Sequence, residues 1–266
     1  EDQLRGNRGN TQFLRDAYGN LKQHISTDTA KAGENLTSTI DIALQKYGEK
    51  LMQNKIGSVV AIDPSTGGIL AMISSPSFDP NLLSGDTMSK SWRKLALNDS
   101  LKPLFNRALK SKNSPGSIFK MVQGLSAWEL GTIDESTKIY CDKSIVGCHG
   151  HSPVQSLADA IKVSCNPYFY ETFKRIANVQ EGKDIFEKSN TGVRVWNEYV
   201  TSFGFGSDLQ LDFPSYSIGN IPLPELYDKI YSKWSYRTCN SLAIGQGEML
   251  VTSYQMANLA CVMANR

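Results

Sequence analysis

Ser117 and Lys120 stand three residues apart in Pro115-Gly-Ser-Ile-Phe-Lys120. On a helix, residues at i and i+3 share one face, so a hydroxyl and an amine would lie side by side. A serine hydroxyl becomes a useful nucleophile when a base removes its proton. A lysine amine becomes a useful base when burial lowers its pKa. The pair therefore suits acyl transfer through a serine ester, and a helix N-terminus favours the negative charge that develops there. The isolated tetrapeptide is common, and a helix N-cap at Ser117 with a solvated Lys120 accounts for it as well.

Ser164-Cys165-Asn166 follows later in the chain. Its hydroxyl and amide can relay a proton and hold a substrate amide. Its plain structural role is helix initiation, with Asn166 as N-cap and Pro167 as first helical residue. Between the two motifs lie Cys141, Cys148, His149 and His151. Cys and His are the usual ligands of structural zinc. Three readings stand open for this cluster: a metal site, a Cys141–Cys148 disulfide in an oxidising compartment, or free thiols and surface histidines. Cys239 and Cys261 read as small buried residues, and His24 as a solvated side chain in a polar stretch.

The elements that must position these groups follow from the pattern. The first 40 residues are polar and read as extended or loop structure. A helix is expected from Ile42 to about Asn54. Two apolar runs flank Asp63-Pro-Ser-Thr-Gly-Gly68, a hairpin signal, and their nearly continuous apolarity predicts helices on both sheet faces. Residues 76–113 read as irregular, broken by Pro76, Pro80 and Pro103. A buried helix is expected from Ser117 to Leu130, with Ile118, Phe119, Met121, Val122, Leu125 and Trp128 packed and Gly131 as its stop. Further helices are expected at Ser156–Val163, from Pro167 to about Ala177, and after the capping box Thr252-Ser-Tyr-Gln255.

The chain has 266 residues, 40% of them hydrophobic and 20% charged, enough for one large domain plus an extra piece. A net charge of +2 gives no reason to expect nucleic acid as a partner. No apolar run is long enough for a transmembrane helix, and no signal peptide is visible. The start at Glu1 leads to the expectation of an excised fragment whose membrane anchor lies elsewhere.

With these residues in view, the chain resembles the serine penicillin-recognising enzymes, whose motifs are S-x-x-K, S-x-N or S-D-N, and K-T-G. Pro103-Leu-Phe-Asn-Arg-Ala108, Val60-Ala-Ile-Asp-Pro-Ser-Thr-Gly67, Ser74-Ser-Pro-Ser-Phe-Asp-Pro80 and Gly245-Gln-Gly-Glu248 are similar to the class B penicillin-binding proteins. So is Leu4-Arg-Gly-Asn-Arg-Gly9, which resembles that class's link to an N-terminal pedestal. The elongation-type penicillin-binding protein 2 group is the best match, over nearly the whole chain.

The resemblance implies an α+β, penicillin-binding-protein/serine β-lactamase-like fold, with an antiparallel sheet between helical layers. It implies a pedestal or linker remnant at 1–40 and a transpeptidase domain at 41–266. It also implies that Ser117 attacks the penultimate D-Ala carbonyl of a stem peptide with Lys120 as base. Ser164 and Asn166 then help with the proton and the substrate, and β-lactams trap Ser117. Implied partners are lipid-linked peptidoglycan precursor, a SEDS-family glycosyltransferase and other elongation proteins. The implied place is the periplasmic face of the inner membrane, with an N-terminal anchor.

The resemblance implies no cofactor for catalysis. It also implies, from what some members of the group look to have, a metal site that includes the middle residue of the second motif. That makes Cys141, Cys148, His151 and Cys165 the candidate zinc ligands, with His149 as alternate. No K-T-G or K-S-G occurs, and Asn190-Thr191-Gly192 is the nearest string. The expectation is that the chain stops short of the third motif, lacks the C-terminal strands and is impaired in activity. A β-lactamase-like hydrolase and a non-catalytic β-lactam sensor or scaffold are the alternatives.

Overall fold

The computed structural model describes residues 2–85 and 88–265. It divides into two compact units, residues 1–39 and 40–266.

In the first unit, a short helix α1 (Asp2–Arg5) precedes an antiparallel hairpin of β1 (Asn10–Arg15) and β2 (Leu21–Asp28). Almost every described residue here is exposed, in keeping with its polar sequence. His24 is exposed but engaged: its Nε2 lies 2.6 Å from Thr27 Oγ1, and its ring meets Phe13 edge-on.

The second unit opens with α2 (Ile42–Leu51), capped by the Asp41 carboxylate, which accepts from the N–H groups of Ala43 and Leu44. The expected hairpin forms as β3 (Gly57–Ile62) and β4 (Ile69–Ser75) in antiparallel register, Val60 opposite Met72. Its turn is held by Asp63, which accepts from Ser65 and Thr66. The last helix, α10 (Ser253–Asn265), packs on β3, where Ser58 Oγ meets Ser253 Oγ at 2.8 Å. α2 lies against Ile73, one residue out of phase with Ser74 and so on the other face of the pleat. Both faces are therefore covered, as the apolar runs predicted.

One edge of this sheet is closed by a side chain. The Gln45 amide accepts from Met72 N–H at 2.9 Å and donates to Met72 C=O at 3.1 Å. Asp41 N–H also donates to Leu70 C=O. Because Met72 turns its backbone groups outward, its partner Val60 does the same on the far edge. There they meet no backbone partner among the described residues.

The stretch from 76 to 113 is more regular than its prolines suggest. After a 3-10 turn at Pro80–Leu83 come α3 (Met88–Ala96) and α4 (Arg107–Lys110). Asp86 and Thr87 lie outside the described residues. α3 is built from Met, Lys, Arg, Leu and Ala, good helix formers, but buries nothing fully. Met88, Trp92 and Leu95 fall at helical spacing along it, a short amphipathic signal that the flanking prolines Pro80 and Pro103 hid in the sequence.

The main core lies under the nucleophile helix. A 3-10 turn at Gly116–Phe119 runs into α5 (Lys120–Glu129). Around it pack α6 (Leu157–Lys162), α7 (Asn166–Asn178) and α8 (Ile185–Ser202), with α9 (Pro224–Ile230) against α8. Phe119 and Val122 are fully buried, but Ile118 and Trp128 are about half exposed. The expectation that the helix is apolar on most faces therefore holds only for its inner side.

The sequence reading did not identify α8 or α9. Gly, Thr, Asn and β-branched residues in Ile185–Ser202 are mediocre helix formers, so packing supplies the stability. Asn190-Thr191-Gly192 sits in α8, where Gly192 abuts Ala177 of α7. A Cβ on Gly192 would lie 2.4 Å from Ala177 Cα. That string is a helix-crossing point, not a substitute third motif.

Candidate active site and cysteine cluster

Ser117 sits in the 3-10 turn that opens α5, at the protein surface. Backbone N–H groups in a first helical turn have no acceptor within the helix, so the Ser117 N–H is free to face a developing oxyanion. The turn is clamped from below. Gly116 N–H donates to Gly245 C=O at 2.8 Å, and Gly245 has φ 70. A Cβ at Gly245 would sit 2.4 Å from Gly116 O. Glycine is therefore required there by both conformation and space, which explains why Gly245-Gln-Gly-Glu248 accompanies the nucleophile.

Lys120, one turn deeper, is 2% exposed. Its Nζ donates to Ser164 C=O at 2.8 Å, Ser164 Oγ at 2.8 Å and Asn166 Oδ1 at 2.6 Å. An ammonium has three protons, and all three are placed. Among the described residues no carboxylate forms an ion pair with it. Burial pushes its pKa below the usual lysine value, while the Cys148 and Cys165 thiols act in the opposite sense. The Phe169 ring lies 5.7 Å from Nζ and supplies part of the apolar wall.

Ser164 has φ 52, a left-handed backbone that is uncommon for a non-glycine residue. With this conformation its carbonyl and hydroxyl both reach the same ammonium. Asn166 departs from its expected capping role. It is the first residue of α7, Cys165 stands at the cap position, and the Asn166 amide works elsewhere. Its Oδ1 takes Lys120, and its Nδ2 donates to Gly147 C=O at 2.8 Å.

The structure thus brings Lys120, Ser164 and Asn166 into contact, with Ser117 in the 3-10 turn that leads into α5. Sequence reasoning missed the support behind them. Gln123, fully buried one turn after Lys120, donates to Thr172 Oγ1 at 3.1 Å and accepts from Trp196 Nε1 at 2.7 Å. α5 and α7 are therefore pinned twice, at Lys120–Asn166 and at Gln123–Thr172. A Gln in an apolar helix followed by a Trp-containing helix was the available signal.

Beside this site the ligating atoms of Cys141, Cys148, His151 and Cys165 all lie within 4.8 Å of one another. His151 Nε2 is 3.4 Å from the sulfurs of both Cys141 and Cys148, and its Nδ1 is 2.7 Å from Ser152 O. His149 stands outside the group, edge-on to His151. All five cysteines are free. Cys239 is fully buried, as expected, whereas Cys261 is only partly covered.

Burial pushes the Cys165 thiol up to about 12, and burial also raises that of Cys141. Burial acts the same way on Cys148, but the Asn166 N–H and His151 outweigh it and hold that thiol below its usual value. The Ser152 carbonyl and Cys148 favour a protonated His151. A small space packed with three sulfurs and an imidazole is a donor set that suits a tetrahedral thiophilic cation.

The family description "Penicillin binding protein transpeptidase domain" matches residues 57–266. The peptidoglycan D,D-transpeptidase MrdA of Acinetobacter baumannii is 32% identical over 277 aligned residues, covering 100% of this chain and 39% of that protein. The chain thus spans about two fifths of that curated relative's length. Penicillin-binding protein A from M. tuberculosis, solved as an imipenem acyl-enzyme complex, superposes with a TM-score of 0.70 at 27% identity, covering 88% of this chain and 53% of that one. PBP2 from Helicobacter pylori, solved in complex with MreC, gives 0.75 at 26% identity, covering 98% and 48%.

Proposed function

The chain belongs to the penicillin-binding protein transpeptidase family, and from that premise we propose that it is the nucleophile-bearing part of a peptidoglycan D,D-transpeptidase. The observation that carries this reading is the buried Lys120, held by Ser164 and Asn166 one turn beneath an exposed Ser117.

In the proposed reaction Lys120 loses one of its three placed protons and becomes the base. Ser117 Oγ attacks the carbonyl of the penultimate D-Ala as its proton passes to Lys120 Nζ. The tetrahedral oxyanion faces the Ser117 N–H. The proton then moves, through Ser164, to the departing amine. The C–N bond breaks, D-Ala leaves, and an acyl ester remains on Ser117. An amine from a neighbouring stem peptide attacks that ester, gives its proton back through Lys120 and restores the Ser117 hydroxyl. Asn166 holds Lys120 and aligns the substrate amide. A β-lactam enters the same step, but its opened ring stays attached and the ester persists.

The cysteine cluster completes the proposal. Cys141, Cys148, His151 and Cys165 would hold a structural zinc ion, which supplies a cross-link and no catalytic step. His151 suits this because its Nδ1 is engaged by the Ser152 carbonyl, which aims Nε2 at the sulfurs. Residues 1–39 would belong to the link with a pedestal. Elongation proteins, a SEDS-family glycosyltransferase and lipid-linked precursor at the periplasmic face of the inner membrane are the proposed setting. The MreC complex of the Helicobacter pylori neighbour supports a protein partner for this chain.

The test is intact mass after incubation with benzylpenicillin, on this chain and on a version continued beyond Arg266. One added penicillin mass that disappears in Ser117→Ala is the expected result. No adduct on either version would sink the acyltransferase reading.

A further inference from the structure

Residues 88–112 carry seven basic side chains and a single acid, Asp99, although the whole chain has a net charge of only +2. Lys90, Arg93 and Lys94 project from α3, and Lys102 and Lys112 follow; all five are exposed. Arg107 is different. It is buried, and its guanidinium donates to the carbonyls of Leu101, Lys102 and Phe105, so its charge is used to hold the loop together. The ion pairs among the described residues all lie elsewhere, at Asp16, Glu171 and Glu225. Among the described residues, therefore, no ion pair neutralises these five exposed cations.

The same surface becomes concave at Leu101. There a cleft of about 850 Å³ separates Leu101 and the end of β4 from the C-terminal end of α2, with Lys46, Lys50 and Lys55 on its α2 side. Glu49 is the one carboxylate lining it, and Glu49 accepts from Gln45. Ser77 also lines it.

We propose that this cationic cleft and the α3 face together form a docking surface for the peptidoglycan polymer, separate from the Ser117 site. The proposal rests on the transpeptidase reading, because that reading supplies the polymer. Charge complementarity selects it: stem peptides bear free carboxylates, and the cleft offers three ammonium groups against one carboxylate. α3 adds a ring. Trp92 is half exposed at 51%, on the side of the helix that also carries Met88 and Leu95. Sugar rings present C–H faces that stack on such an indole.

The main competitor is an anionic membrane surface, which basic amphipathic helices often bind. Membrane binding needs the apolar side of the helix free to insert. On α3 that side offers little to insert: Leu95 is partly buried and the helix rests on the 3-10 turn at Pro80–Leu83, which leaves Met88 and Trp92 each about half exposed. Three cations stand around that one exposed ring.

The experiment uses the protein continued beyond Arg266. Co-sedimentation with purified peptidoglycan sacculi, and separately with anionic phospholipid vesicles, is measured at low and high salt. Acylation by a fluorescent penicillin is measured in parallel. Expected is salt-sensitive pelleting with sacculi, reduced roughly tenfold or more in Lys90→Glu/Arg93→Glu/Lys94→Glu and in Lys46→Glu/Lys50→Glu. The penicillin rate should stay unchanged, since a small β-lactam does not need this surface. Should charge reversal unfold the protein, the corresponding Gln variants give the same readout.

Pelleting that is indifferent to salt or to these substitutions overturns the proposal. So does pelleting with vesicles but not with sacculi. If no version is acylated yet sacculus binding still falls with the charges, the transpeptidase reading fails and the docking surface stands.

Discussion

Lys120 Nζ and Asn166 Oδ1 meet at 2.6 Å, across the junction between the nucleophile helix and the helix that the second motif starts. That contact fixes which end of the amide faces the lysine, because Asn166 Nδ2 is committed to Gly147 C=O. The active-site base is thereby tied to the loop that carries the cysteine cluster. Asn166→Ala should lower the penicillin acylation rate by about 100-fold with little change in melting temperature. An unchanged rate, read by stopped-flow fluorescence, would remove Asn166 from the machinery.

Lys120 has to be neutral to act as a base, and its burial lowers its pKa. Acylation should therefore rise with pH and level off below the range where a free lysine titrates. The sign is fixed: lowering the pH through Lys120's depressed pKa adds the proton that blocks catalysis. Lys120→Met should abolish acylation, and Lys120→Arg should not rescue it, because arginine stays protonated. A pH–rate profile that first rises only in the range of an ordinary lysine would contradict the assignment.

Gln123 is the second pin between α5 and α7. Gln123→Leu leaves the buried Trp196 N–H and the Thr172 hydroxyl without their partner, which should cost about 1–3 kcal/mol of stability. Acylation should also slow, because Asn166 is no longer held in register, while Gln123→Glu should recover part of the rate. If chemical denaturation shows the loss and acylation at saturating penicillin does not change, Gln123 is structural only.

At Gly245 the prediction comes from space. Gly245→Ala places a Cβ against Gly116 O in a backbone region that alanine disfavours. A loss of more than about 1 kcal/mol and slower acylation are expected together, because the atom displaced belongs to the nucleophile turn.

For the cluster of three cysteines and His151, elemental analysis of protein purified without chelator should give one zinc per chain. Cys165→Ser should reduce that occupancy sharply. Lowering the pH should release the metal, because protons compete for thiolates and imidazole. A chelator should lower the melting temperature. Metal-free protein with an unchanged melting temperature would return the cluster to free thiols.

Much of this site was legible in the sequence, for a physical reason. The i, i+3 spacing of Ser117 and Lys120 puts them within one helical turn, whereas Ser164 and Asn166 were named by the family resemblance, and nothing in a separation of 44 residues encodes that Ser164 meets Lys120. The hairpin at 57–75 was equally plain, since Pro64 and two glycines punctuate it. Gly147 contributes a backbone carbonyl, which no residue type announces. Gln123 looks like an ordinary helix residue until Trp196, far away in sequence, supplies its partner. α3 was missed because its short period of Met88, Trp92 and Leu95 lies in a stretch bracketed by Pro80 and Pro103, and α8 because it is built from mediocre helix formers whose stability comes from packing.

Gln45 gives the β3–β4 sheet a handedness of use. Its amide occupies the outward N–H and C=O of Met72, leaving the β3 edge as the one that can accept another strand. With Asp41 N–H on Leu70 C=O beside it, this side chain makes the sheet one-sided: any strand that joins it has to join at β3. The glutamine thus sets the direction in which the sheet can grow, a choice that no backbone hydrogen bond within the hairpin makes.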